Sequence, residues 1–163
     1  MAAAKRYWLV KSEPDVYSID DLARDGSTMW DGVRNYQARN LLRDDMKVGD
    51  PVLFYHSRVD PMCVAGLAEV SSEPYPDPTA FDPKDKHYDP KSKEEDPTWI
   101  LVDIQHVETF AVPVDRDTLK AEPALKDMML LKRGSRLSVQ PVTAAEYKAV
   151  VKLAKQLARS AGG

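Results

Sequence analysis

The stretch Trp99-Ile100-Leu101-Val102-Asp103-Ile104-Gln105-His106-Val107 constrains the fold more than any other part of the chain. It is apolar at each of its first four positions and alternates afterwards. That is the pattern of a central strand covered on both faces at one end and on one face at the other. A sheet must therefore lie at the centre, and four further segments can supply its other strands. Tyr7 to Lys11 is rich in aromatic and β-branched residues. Pro51 to Ser57 puts Val52, Phe54 and His56 on one face and Leu53, Tyr55 and Ser57 on the other. Val64 to Val70 carries small Ala65, Gly66 and Ala68, which let another backbone or a flat ligand come close. Leu137 to Val142 reads as a last strand.

Helices fall between these strands. Ser18 or Asp20 can cap a short helix through Leu22 to Arg24, closed by Gly26. Asn35 can cap a helix that runs to about Met46, with Ala38, Leu41 and Leu42 as its apolar stripe and Tyr36, Arg39, Asn40 and Arg43 on the opposite face. Thr143-Ala144-Ala145-Glu146 is a capping box. It opens a C-terminal helix with a buried stripe (Tyr147, Val150, Val151, Ala154, Leu157) and a basic one (Lys148, Lys152, Lys155, Arg159). Six of the chain's 12 prolines lie between Glu73 and Pro97, spaced among acidic residues. This segment predicts a loop, either a lid-like cover or a partly disordered insertion. Its Asp-Pro pairs lack the spacing and glycine of a calcium loop.

At 163 residues the chain is the size of one domain with a real core. No apolar run reaches the length of a membrane span, and a cytoplasmic location, or a nuclear one in a eukaryote, is expected. The single Cys63 excludes an internal disulfide and a multi-cysteine zinc site. A net charge of −3 gives no overall basic field, so a nucleic-acid partner must be held by a local patch.

Catalytic signals are thin. Cys63 and His56 sit in no nucleophile motif, His56-Ser57 lacks a Gly-x-Ser-x-Gly elbow, and His56, His87 and His106 are too dispersed to form a metal cluster. Neither a phosphate-cradling loop nor a dinucleotide fingerprint is present, so no cofactor and no metal are expected. Binding residues are denser. Trp30 to Asn40 combines rings, cations and amides around an Asp31-Gly32 turn, and Lys11-Ser12-Glu13-Pro14 is an extended exit from the first strand. Trp30, Tyr36, Tyr55 and Trp99 offer stacking faces, while Ser12, Asn35, His56 and Ser57 can pair with a base edge. Arg39, Lys11 and the basic turn from Lys132 to Arg136 can hold flanking phosphates.

Four motifs carry a family resemblance: Tyr-Trp-Leu-Val-Lys-Ser-Glu-Pro from Tyr7, Trp-Asp-Gly-Val-Arg-Asn-Tyr-Gln-Ala-Arg-Asn from Trp30, Gly-Asp-Pro-Val-Leu-Phe-Tyr-His-Ser from Gly49, and Ser-Arg-Leu-Ser-Val-Gln-Pro-Val from Ser135. Together they resemble the EVE-domain family, in the family's order and over almost the whole chain. The resemblance implies an α+β, PUA-like mixed β-barrel with flanking helices, related to YTH and ASCH domains. It implies one domain over 1–163, with the acidic, proline-rich loop at about 73–97. It also implies a pocket for a modified base, modified cytosine or similar, in DNA or RNA. Carried onto this sequence, that pocket is lined by Lys11, Ser12, Trp30, Asp31, Gly32, Val33, Asn35, Arg39, Tyr55, His56 and Ser57, with Lys132, Arg133 and Arg136 as phosphate contacts.

The resulting expectation is a monomeric, non-catalytic reader of a modified nucleobase. In it, Trp30→Ala and Tyr55→Ala would each remove about 1–3 kcal/mol of stacking without unfolding the protein. The alternatives are a small enzyme acting on a modified nucleoside with His56 as acid or base beside Ser57, and an RNA-binding accessory domain indifferent to modification.

Overall fold

The computed structural model describes residues 6–132 and 137–162. Strand β1 (Tyr7–Ser12) leads to helix α1 (Ile19–Asp25), which opens on a capping box. Ser18 Oγ accepts from the Asp21 N–H, and the Asp21 carboxylate accepts from the Ser18 N–H. A three-residue strand, β2 (Ser27–Met29), precedes helix α2 (Tyr36–Asn40). The Asn35 side chain caps α2 by accepting from the Ala38 N–H at 3.0 Å, and a wider π turn extends the helix over Leu41–Asp45. Then come β3 (Pro51–His56), β4 (Cys63–Val70), β5 (Tyr75–Pro76), β6 (Ile100–Leu101) and β7 (Asp103–Asp115). Helix α3 (Arg116–Ala121), β8 (Val139–Val142) and α4 (Ala144–Gly162) complete the described chain.

Six strands form one sheet in the order β2-β7-β4-β3-β1-β8, curled as a half-barrel with four flanking α-helices. Only β1 and β3 pair in parallel; the other neighbours are antiparallel. The expected mixed α+β architecture with flanking helices is therefore observed, its sheet curled as a half-barrel. Because side chains alternate along each strand, the sheet builds two cores. Trp8, Val10, Val52 and Phe54 pack beneath α1 and α2 on one face. Leu9, Leu53 and Tyr55 pack beneath α3 and α4 on the other.

The long strand expected over Trp99 to Val107 is split. Ile100–Leu101 pairs with Tyr75–Pro76, Val102 O accepts from the Trp30 N–H, and Asp103 starts a 13-residue strand running through Pro113 to Asp115. Proline is tolerated there because β2 pairs only with Asp103, Ile104 and Gln105, which leaves the far half of that edge of β7 without a ladder for Pro113 to break.

The acidic insertion is ordered. Asp77 caps a 3₁₀ turn over Pro78–Phe81, Asp89 N–H donates to Ala80 O, and Asp82, Asp85 and Asp89 each accept from the N–H two residues on. These side chains make a chain of local turns rather than a calcium loop.

Candidate functional site

Where β1 leaves the sheet, a cavity of about 840 Å³ opens. Three segments and Ser138 wall it: the exit from β1 with the run into α1, the stretch from Thr28 to Arg34, and residues Lys84 to His87 of the insertion. A volume of this size is typical of small-ligand sites. Trp30 is only 9% exposed, its ring meeting Phe54 edge-on at 5.6 Å, and Tyr17 supplies a second aromatic wall. Val16 and Met29 are exposed apolar side chains at the same cavity.

Local backbone geometry brings the insertion onto the loop. Gly32 has φ +78°, and its N–H donates to the Asp77 carboxylate at 2.8 Å. A Cβ at this position would lie 2.5 Å from the His87 ring, so only glycine lets His87 close against the loop. Arg34 is the clamp. Its Nε and one terminal nitrogen donate to His87 O at 3.1 and 2.7 Å, and the other terminal nitrogen meets Asp77 at 3.0 Å. Burial pushes the Asp77 carboxyl up, but hydrogen bonds from Thr79, Gly32 and Arg34 outweigh it and hold the group below its ordinary value.

Asp31 has a different environment. Its carboxyl lines the cavity and is raised, first by desolvation within the concave wall and then by the Asp77 carboxylate, with His87 opposing. It makes no hydrogen bond or ion pair with any other described residue. Lys11 also lines the cavity; burial and then the Arg116 guanidinium lower its ammonium.

Of the residues expected to line one pocket, the structure gathers Lys11, Ser12, Trp30, Asp31, Gly32 and Val33 at this cavity. The others lie elsewhere. Tyr55 is fully buried in the opposite core, because strand alternation turns it away from Phe54 and His56. His56 is on the cavity side of the sheet, but its Nε2 accepts from the Ile19 N–H at 3.1 Å, fastening the start of α1. Ser57 continues the β1–β3 ladder by donating its N–H to Ser12 O. Asn35 is occupied as a helix cap.

Arg39 donates to Thr98 O and lies 5.2 Å from the Tyr36 ring, which stacks on Trp99. That aromatic pair, with Arg34 over Trp99, secures the base of the insertion rather than the cavity. Lys132 is exposed at the end of a 3₁₀ turn, and Arg133 and Arg136 fall outside the described residues. The sequence reading missed Glu13, Val16, Tyr17, Thr28, Met29, Arg34, Ser138 and the wall from Lys84 to His87. Asp31-Gly32 signalled a turn, but nothing local signalled the segment that closes on it.

Ser12 Oγ donates to Tyr17 O at 2.6 Å, the Nε2 of His56 is engaged, and burial raises the Cys63 thiol. Among the described residues no group of three or more His, Cys, Asp or Glu side chains could hold a metal ion, and no helix is long and apolar enough to cross a membrane.

Burial lowers the His56 pKa below 6.5, with Asp20 opposing. The unfolded chain therefore binds this proton more readily than the folded one, and stability present above pH 6.5 is lost as pH falls from there toward the folded-state pKa. Melting curves from pH 8 to pH 5 should show wild type losing more thermal stability than His56→Gln. Parallel curves would remove this role.

Comparison with known proteins follows the same lines. The chain is 42% identical to human thymocyte nuclear protein 1 over 90% of its own length and 73% of that protein. It superposes on a hypothetical protein from Leishmania major with a TM-score of 0.91 at 44% identity, covering 96% of this chain and 99% of that one. The structure of human THYN1 in complex with 5-methylcytosine-containing DNA superposes with a TM-score of 0.86 at 41% identity, covering 92% and 98%. A YTH domain from Zygosaccharomyces rouxii, at 17% identity and a TM-score of 0.54 over 94% of this chain and 89% of that one, shares the fold alone. With the EVE domain model matching residues 6–153 as well, the chain belongs to the EVE-domain family.

Proposed function

We propose that this domain is a non-catalytic nucleic-acid binder that takes one modified base, 5-methylcytosine or a related base, into the cavity between Trp30 and the insertion. The observation that carries this reading is the cavity itself. It is lined by a buried tryptophan and a second aromatic ring, and exposed Val16 and Met29 add apolar surface beside its charged side chains. A base extruded from a strand presents a flat face to such rings and a polar edge to the few side chains around them. The complex of human THYN1 with 5-methylcytosine-containing DNA, a relative of 41% identity, supports the same partner class. The cytoplasm or the nucleus would supply that partner. Lys11 at the cavity and Lys132 beyond it are the cations we assign to flanking phosphates.

Calorimetry against single-stranded oligonucleotides carrying modified or unmodified cytosine, adenine or uridine is the direct test. At least one modified base should bind about tenfold more tightly than its parent. Equal affinity across the panel, with a steep salt dependence, would mean sequence-blind phosphate binding instead. Turnover of any substrate would replace the reading with an enzymatic one.

A further inference from the structure

The polar groups around the cavity are mostly spoken for. The Arg34 guanidinium is committed to Asp77, Thr79, Val33 O and His87 O. The Gly32 N–H goes to Asp77, the Ser12 hydroxyl to Tyr17 O, and the Tyr17 hydroxyl to Asp25. His87 Nδ1 is 3.3 Å from Asp85. Besides the exposed Lys84 and Lys86 donors, Asp31 is the acceptor left over: an exposed carboxyl at the cavity, next in sequence to Trp30, with no hydrogen bond or ion pair to another described residue. The charges that act on it are Asp77 and Asp85, which repel, and His87, which attracts. An acceptor held beside an aromatic ring calls for a ligand that presents an N–H there.

We infer that Asp31 selects cytosine and its 5-substituted forms over thymine, by accepting a hydrogen bond from the N4 amino group of the inserted base. The inference rests on the reading of the cavity as a base pocket. Thymine and 5-methylcytosine have the same ring and the same methyl group, so neither stacking on Trp30 nor the apolar walls can separate them. They differ along the polar edge: cytosine carries an amino donor at position 4 and an acceptor at N3, whereas thymine carries a carbonyl acceptor at position 4 and a donor at N3. Asp31 is assigned to position 4. A carboxylate facing that carbonyl sets two acceptors against each other with no donor between them, and both lose their water. The raised pKa of Asp31 fits a carboxyl that is partly desolvated, faces the Asp77 carboxylate and is completed by a donor from the ligand.

The test compares single-stranded DNA oligonucleotides identical except for one central 5-methylcytosine or thymine, so that no duplex has to open. Fluorescence anisotropy gives both affinities for wild type, Asp31→Asn and Asp31→Ala. Wild type should prefer 5-methylcytosine by about tenfold or more. The asparagine amide can turn its NH₂ toward the thymine carbonyl. Asp31→Asn should therefore bind thymine more tightly than wild type does, bringing the ratio close to one, whereas Asp31→Ala should lose affinity for 5-methylcytosine without gaining any for thymine. A variant that merely disturbed the loop would weaken both oligonucleotides together and leave the ratio unchanged, and that result overturns the role of Asp31 while leaving the base pocket standing. Wild type binding neither oligonucleotide overturns both.

Discussion

Replacing Arg34 with methionine is expected to cost about 3–5 kcal/mol of folding stability, the usual penalty for stranding one partner of a buried ion pair. Asp77, its partner, has a side chain only 2% exposed. Methionine fills much of the same volume but supplies none of the fork that reaches His87 O, Asp77 and Thr79 together. Lysine restores the charge without the fork, so Arg34→Lys should recover only part of the loss. Urea denaturation of the three proteins measures this directly, and a loss under about 1 kcal/mol for methionine would show that the insertion is held by something else. Because His87 stands on that clamp, base binding should fall in step with stability.

Tyr55→Ala should also cost about 3–5 kcal/mol, as a large ring is removed from a closed core. Tyr55→Phe should be close to neutral. The hydroxyl is buried without a well-formed hydrogen bond among the described residues, and its one favourable neighbour is the Arg116 guanidinium, so deleting it gives up little and removes a desolvated polar atom. Neither change touches the cavity, so the base affinity of the folded protein should be unaltered in both. Equal destabilisation by phenylalanine and alanine would mean that the hydroxyl has a partner that matters. Trp30 differs from Tyr55 in belonging to both core and cavity. Its removal would unsettle the fold together with the site, rather than stacking alone.

The contrast between these residues shows what the sequence could disclose. Strands β1, β3 and β4 were legible because their residues alternate against a buried sheet, and α2 because Asn35 is a strong cap. The same alternation should have kept Tyr55 and His56 out of one pocket, since adjacent strand residues point to opposite faces. Family resemblance grouped them because both sit in one conserved-looking motif, which reports shared structure as readily as shared contact. For the insertion the sequence left two readings open, a lid-like cover or a partly disordered segment, with no way to choose between them. The insertion is held by Arg34 reaching across more than fifty positions to a backbone carbonyl, by Trp99 Nε1 donating to Asp89, and by Tyr75 donating to Asp103. None of these bonds leaves a period in the sequence, and a proline-rich acidic stretch reads as disorder until its distant partners are known. The six cavity residues that the sequence did locate flank the exits of β1 and β2, where strand ends and a turn mark positions for binding.

Arg34 grips the insertion at His87 chiefly through a main-chain oxygen, which every amino acid possesses. Side chains at Lys84 and Lys86 can therefore be exchanged without releasing that grip, whereas Asp85 also holds His87 by accepting from its N–H. The molecule thus separates holding the wall in place from deciding its charge and shape, and leaves the preference for one nucleotide neighbour over another open to change by single substitutions along a rim whose backbone stays put.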